Sequence, residues 1–282
     1  MYDLLCISGA GIKIMNILGF LHFLNLKKPF LDKVKYYSGT SAGSIICALL
    51  IVGYSPMEIL VYFCKNEVNE LMDNINTDQN NFGLVNIEPI KVYLENMIIN
   101  KIGFVPTLKQ LFNLKHKTFV CCSYNLSKEE KVYFEHTNYP DIKITDAIIA
   151  SSLIPLIFTK WEINKDIYID GGIFDIFPIE YPLDKYKDIT KILGVLINNE
   201  NKSLENPRKY IIKIIDTISC ININRKLLNK LEEDDILDMI YLNCQSEQIS
   251  LYQTKRDRID EFSKSYKIVQ EFLKKEKKIK QD

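Results

Sequence analysis

Three short segments hold residue types that do chemistry together: Gly9-Ala10-Gly11, Gly39-Thr40-Ser41-Ala42-Gly43 and Asp170-Gly171-Gly172. A serine flanked by glycines, placed between a short strand and an apolar helix, has the form of a nucleophile elbow. Such a turn lifts the hydroxyl above the sheet edge, and the small neighbours let the backbone reverse. The helix that follows aims unpaired N–H groups at the site, which favours developing negative charge. The competing reading is a small-residue turn with a capping serine. The strand before Ser41 and the helix after it favour the nucleophile.

A nucleophilic serine needs a base. In hydrolases with a Ser-Asp-His triad of the usual chain order, the histidine comes last. This chain has His22, His116 and His136, and none follows Asp170. His22 falls inside a helical pattern, and His116 sits in a charged turn beside Lys115 and Lys117. The residue types therefore point to a two-residue device, with Asp170 taking the serine proton directly. A carboxylate at its reference pKa of about 3.9 is a poor base. Desolvation raises that value toward a useful range. Asp170 ends an apolar strand, and Gly171 and Gly172 let another backbone or a substrate come close.

The elements that must position these residues read as alternating strands and helices. Leu4 to Ser8 is an apolar strand ending at Gly9. Ile14, Ile17, Leu18, Leu21 and Leu24 then recur at helical spacing. A strand near Lys35 to Ser38 breaks at Gly39, and a nearly all-apolar helix follows Ser41. Asn66 to Asn81 reads as an Asn/Asp-rich loop or cap. Lys91 to Ile99 and Leu108 to Leu114 read as helices, and Lys117 to Tyr124 and Val132 to His136 as strands. Thr145-Asp146 supplies an N-cap and first-turn acid for a helix reaching about Leu153, stopped by Pro155. Ile192 to Ile197 reads as the last clear strand, with charged amphipathic helix beyond Asn206. This order predicts an α/β fold with helices on both faces of one sheet. Residues 1–200 are expected to form the core, and 201–282 a helical segment packed on the same domain.

Composition bounds the function. Lys+Arg and Asp+Glu both number 36 in the 282 residues, which argues against a nucleic-acid binder relying on a basic surface. The seven cysteines are odd in number and lack CxxC spacing, so neither a disulfide framework nor a zinc site is expected. No signal peptide is visible, and the longest apolar run, Ile45 to Val52, is too short to span a bilayer. A cytoplasmic protein meeting membranes only peripherally is the expectation. One place for that contact is the stripe Ile259, Phe262, Tyr266, Val269 and Leu273, which runs into a lysine-rich tail. A packed amphipathic helix is the competing reading of that stripe. Nucleotide binding at Gly9-Ala10-Gly11 is disfavoured, because a dinucleotide fingerprint wants glycine where Ile14 stands.

With the three segments in this order, the chain resembles the patatin-like phospholipase family. Gly9-Ala10-Gly11-Ile12-Lys13 is similar to its glycine-rich oxyanion segment, Gly39-Thr40-Ser41-Ala42-Gly43 to its nucleophile motif, and Asp170-Gly171-Gly172 to its Asp-Gly-Gly motif. The connectors Asp146-Ala147, Ala150-Ser151-Ser152, Ile154-Pro155 and Tyr168-Ile169 also resemble the family, so the likeness runs from about Tyr2 to Ile197. The resemblance implies a three-layer α/β/α sandwich with a mostly parallel central sheet and a Ser41–Asp170 dyad. It implies an oxyanion hole built from the backbone of Gly9, Ala10, Gly11 and Ile12, with Lys13, Gly39, Gly43, Gly171 and Gly172 in support. It implies cleavage of lipid esters without metal or other cofactor, at a micelle or membrane surface. A catalytically weak lipid-binding or regulatory protein of the same fold is the alternative. Three positions depart from the pattern. Ala10 replaces a common glycine and tolerates the loop if its φ is negative. Ile14 replaces a glycine, which is expected to re-aim the helix start. Asp175 replaces a frequent asparagine, and a second carboxylate there is expected to raise the pKa of Asp170.

Overall fold

The computed structural model describes residues 1–65, 82–199, 207–244 and 254–279. The loop expected at Asn66 to Asn81 lies outside the described residues. In chain order the strands are β1 (Leu4–Ile7), β2 (Tyr36–Thr40), β3 (Thr118–Asn125), β4 (Glu130–Phe134), β5 (Trp161–Ile163), β6 (Asp166–Asp170), β7 (Ile192–Asn199) and β8 (Leu237–Cys244). The helices are α1 (Ile14–Lys27), α2 (Ala42–Val52), α3 (Pro56–Phe63), α4 (Glu88–Ile102) and α5 (Leu108–Lys115). They continue with α6 (Ile144–Ser151), α7 (Glu180–Lys185), α8 (Pro207–Ile221), α9 (Arg225–Glu233) and α10 (Lys255–Ile279).

All eight strands join one sheet, with β5-β6-β3-β2-β1-β7-β8 in order and β4 also paired to β3. The run β3-β2-β1-β7-β8 is parallel throughout. The β3–β4, β3–β6 and β5–β6 pairs are antiparallel. β1 shows how the layers arise. Side chains alternate across a strand, so Leu5 and Ile7 pack with the helix side of α1 and α2, while Leu4 and Cys6 meet Phe177, Ile179 and Leu228 and Leu231 of α9. Both faces of the four-residue strand are buried, as a parallel strand inside a three-layer sandwich requires.

Two expectations change. Ile192 to Ile197 is not the last strand: Leu237–Cys244 pairs with it in parallel over eight residues. The acidic run Glu232-Glu233-Asp234-Asp235 before it hides a mostly apolar segment inside a charged stretch. The helix expected to start at Thr145-Asp146 is capped by Lys143, without a side-chain cap bond. Thr145 instead gives its hydroxyl to Glu95 (3.2 Å). Asp146 does sit in the first turn.

The C-terminal apolar stripe is used in packing. Phe262 and Val269 are buried, and the rings of Phe262 and Tyr266 stand against Phe23 of α1. Gly19 makes the close approach possible, since a Cβ there would lie 2.1 Å from the Phe262 carbonyl oxygen. Among the described residues, no helix is long and apolar enough to cross a membrane.

Candidate active site

β3 carries β4 on one edge. Cys121 and Cys122 pair with both β2 and β4, and Ser123 to Asn125 pair with both β4 and β6. A residue has only two edges, so β2 and β6 share the other one. They run toward each other along it: β2 ends with Thr40 opposite Cys122, and β6 ends with Asp170 opposite Ser123. The next residue after β2 is Ser41. The two candidate groups, 129 positions apart in sequence by their numbers, thus come together at one point of the sheet.

Ser41 adopts φ 53° and ψ −127°, a strained conformation for a residue with a Cβ. Its neighbours explain how the turn is tolerated. A Cβ on Gly39 would lie 2.7 Å from the Gly43 carbonyl carbon, and one on Gly43 would lie 2.4 Å from the Ile7 carbonyl oxygen. Both glycines are therefore required by close backbone approach. The strained turn is pinned from two sides. The Ser41 N–H donates to Ser151 Oγ (2.7 Å), whose own hydroxyl donates to the Cys122 carbonyl (2.5 Å). Ser44 donates its hydroxyl to the Ser41 carbonyl (2.7 Å).

Asp170 is buried, and its carboxylate accepts from the Gly172 N–H (2.7 Å to Oδ1), with the Ser41 side chain near enough to act on its charge. Burial pushes its pKa up to about 6, against the lowering effect of these two groups. The expected contribution of Asp175 is not the cause. That carboxylate takes the Tyr133 hydroxyl (2.6 Å), and its own pKa is raised by burial. Gly171 is required by contact, because a Cβ there would meet the Cys122 carbonyl oxygen at 2.3 Å.

The chain after Asp170 straps the three segments together. Thr40 Oγ1 donates to the Asp175 carbonyl (2.9 Å), and Ser38 Oγ to the Pro178 carbonyl (2.6 Å). The Gly9 N–H donates to the Ile176 carbonyl (3.0 Å). This corrects one expectation: the Gly9 N–H is engaged, so Gly9 serves the loop by lacking a side chain. A Cβ on it would stand 3.3 Å from Ile176 and 3.7 Å from Ser41 Cβ, which places the glycine turn directly beside the serine. Ala10 has φ −136°, which alanine adopts without strain, and the left-handed conformation falls on Gly11 at φ 52°. Gly11–Lys13, with Ile12 between them, form a 3-10 turn closed by the Lys13 N–H on the Ala10 carbonyl (3.0 Å). Lys13 is buried, and Ile14 opens α1 as a buried residue.

The histidines lie elsewhere. His22 packs on the rings of Phe23 and Phe262, His116 terminates α5 in a left-handed conformation, and His136 stacks on Phe112 at 3.8 Å. Ser151, Thr40 and Ser38 are the positioning residues that pattern reading missed. The trace of Ser151 was the connector Ala150-Ser151-Ser152, whose first serine acts on a backbone 110 residues away.

Known proteins resemble the chain in sequence and in fold. The chain is 33% identical over 185 residues to a probable lipid hydrolase of invertebrate iridescent virus 6, covering 64% of this chain and 62% of that protein. An uncharacterized protein of Acanthamoeba polyphaga mimivirus is 25% identical over 256 residues, 82% of this chain and 83% of the relative. Among solved structures, VipD from Legionella pneumophila shares the fold with a TM-score of 0.58 at 15% identity, covering 97% of this chain and 67% of VipD. ExoU of Pseudomonas aeruginosa, in complex with SpcU, gives 0.53 at 16% identity over 97% of this chain and 52% of that one. The patatin-like phospholipase profile matches residues 5–183, which include all three motifs, and the chain belongs to that family.

Proposed function

We propose that this protein is a lipid acyl hydrolase of the phospholipase A or lysophospholipase type, working through a Ser41–Asp170 dyad and an acyl-enzyme. The observation that carries the reading is the buried Asp170 carboxylate, set at the strand end that meets the Ser41 turn along β3, with its pKa pushed up to about 6 by burial. A base with that pKa is largely ionised at neutral pH and still accepts a proton readily.

Ser41 Oγ attacks the ester carbonyl carbon as its proton passes to Asp170. The backbone N–H groups of Ala10, Gly11 and Ile12 hold the oxyanion, with Gly9 as the spacer. The intermediate collapses, and the leaving alcohol takes the proton from Asp170. Water then adds to the acyl-serine while giving a proton to Asp170, and collapse of this second intermediate releases the fatty acid as Ser41 Oγ takes that proton back. Residues 1–200 act as the catalytic core, and 201–282 complete the same domain by adding β8 and the helices around it. No metal or other cofactor is used, and the substrate is met at a micelle or membrane surface from the cytoplasm. The alternative of a catalytically weak lipid-binding protein drew on the altered glycine turn. It loses that support because Ala10 is unstrained.

The test is a fluorophosphonate probe together with acyl release from phospholipid micelles. Wild-type protein is labelled and releases fatty acid, while Ser41→Ala does neither. Equal labelling of the two proteins overturns the assignment.

A further inference from the structure

The stripe on α10 that reads from sequence as a membrane surface is largely taken up by α1: Phe262 and Val269 are buried, Ile259 and Tyr266 stay at its exposed border, and no continuous open face is left. α8 has one. Tyr210, Ile214, Ile218 and Ile221 follow one another at spacings of four, four and three residues, and all four are exposed, Ile221 by 76%. At 100° per residue they fall within one arc of the helix. Large apolar side chains aligned on one exposed helix face mark an interaction surface.

The surroundings select the occupant. Beside this face, an open cavity of about 440 Å³ is lined by Lys213, Asp216, Thr217, Ile221 and Arg225, among others. Two cations and a single acid border apolar Ile221 there, which suits an anionic headgroup above an apolar layer. The far end of α8 is bonded to the candidate active site. Asn222 donates its side-chain N–H to the carbonyl of Ile173 (3.0 Å), three residues after Asp170. A second, smaller cavity shares Ile223 with the first and reaches Phe174 and Asp175 of the strap.

We infer that the exposed face of α8 docks on the surface of an anionic phospholipid bilayer, with Lys213 and Arg225 taking headgroup phosphates and Tyr210, Ile214, Ile218 and Ile221 entering the interfacial layer. This inference rests on the lipid-hydrolase reading for its choice of occupant. Docking at this helix brings the strap beside Asp170 to the layer from which the substrate comes.

The experiment separates docking from turnover by using full-length Ser41→Ala protein throughout. Sedimentation is measured with vesicles of phosphatidylcholine alone and with vesicles containing phosphatidylserine. The protein is expected to bind the phosphatidylserine vesicles more tightly. Each of two paired variants, Ile214→Ser with Ile218→Ser and Lys213→Glu with Arg225→Glu, is expected to weaken that binding roughly tenfold or more. Thermal unfolding checks that each variant folds, and the charge pair, which removes no apolar packing, keeps the test open if the isoleucine pair does not fold. Unchanged binding in a folded pair, no preference for phosphatidylserine, or a dimer that becomes a monomer in the isoleucine pair overturns the docking. Absence of acyl release by the wild type strikes only the hydrolase reading and leaves the vesicle result standing.

Discussion

Thr40 and Asp170 end two strands that meet head-on along one edge of β3, opposite the adjacent residues Cys122 and Ser123. The serine that follows Thr40 and the aspartate therefore lie on either side of the place where the ladder changes partner. Neither residue needs a long side chain or a mobile loop to find the other.

The pH dependence follows from the burial of Asp170. On the proposed mechanism, acyl release rises with pH through about 6 and then levels, as the carboxylate ionises. Asp170→Asn lowers the rate by roughly 100-fold to 10,000-fold and abolishes that inflection. Initial rates between pH 4 and pH 9 check both.

The same carboxylate sets a stability trend of opposite sign. Its folded pKa lies above its unfolded value of 3.8, so the folded state holds the proton more tightly. The resulting stability is fully present below the unfolded pKa and is lost as pH rises through about 6. Two units correspond to an effect on the order of 2–3 kcal/mol. Asp170→Asn is thus expected to raise the melting temperature more at pH 8 than at pH 4, measured by calorimetry at the two values.

Ser151→Ala tests the pin behind the elbow. It removes the acceptor of the Ser41 N–H and the donor to the Cys122 carbonyl, leaving buried groups unpaired. Unpaired buried groups cost about 1–3 kcal/mol each. The variant is expected to lose stability, and its kcat per fluorophosphonate-titrated site is expected to fall about tenfold or more. A normal kcat per titrated site restricts Ser151 to a purely structural part.

Ala10→Gly restores the commoner residue and is expected to bring no gain in rate. The loop conformation at Ala10 is already open to alanine, so glycine adds only backbone entropy and costs about 0.5–1 kcal/mol. Steady-state rates and thermal unfolding of the two proteins decide it.

Ser41→Gly is expected to be more stable than Ser41→Ala by about 1–3 kcal/mol, because φ 53° and ψ −127° burden any residue with a Cβ. Chemical denaturation of the two inactive proteins measures the difference, and equal midpoints would show the turn to be unstrained.

Much of this was legible before any coordinates. The strand-Ser41 and strand-Asp170 turns announce themselves through Gly39, Gly43 and Gly171, since backbone contacts at 2.3 to 2.7 Å from a Cβ admit nothing larger, and the turn after β1 does so through the left-handed Gly11. The apolar spacing of α1 likewise fixed its buried face. What stayed hidden acts over distance through ordinary side chains. Ser151, Thr40 and Ser38 hold backbone groups more than 100 residues away in sequence, and no local pattern marks a hydroxyl that pairs with a remote backbone group. β8 stayed hidden because its apolar residues follow an acidic run, so local charge outweighed a pairing with β7 that only the folded sheet supplies. The engaged N–H of Gly9 belongs to the same class: its partner, Ile176, lies 167 positions further along by residue number.

The place of β1 between β2 and β7 has a consequence for synthesis. Its second edge is paired only when Ile192 to Asn199 have left the ribosome, because that strand supplies the other half of its ladder. Pairing across such a sequence separation is slow and comes late in folding. A nascent chain that already carries Ser41 and Asp170 holds β2, β3 and β6, yet still lacks the partner on the open edge of β1, the strand that leads into Gly9-Ala10-Gly11. The glycine turn that follows β1 is therefore flanked on both sides only after Ser41 and Asp170 have been made.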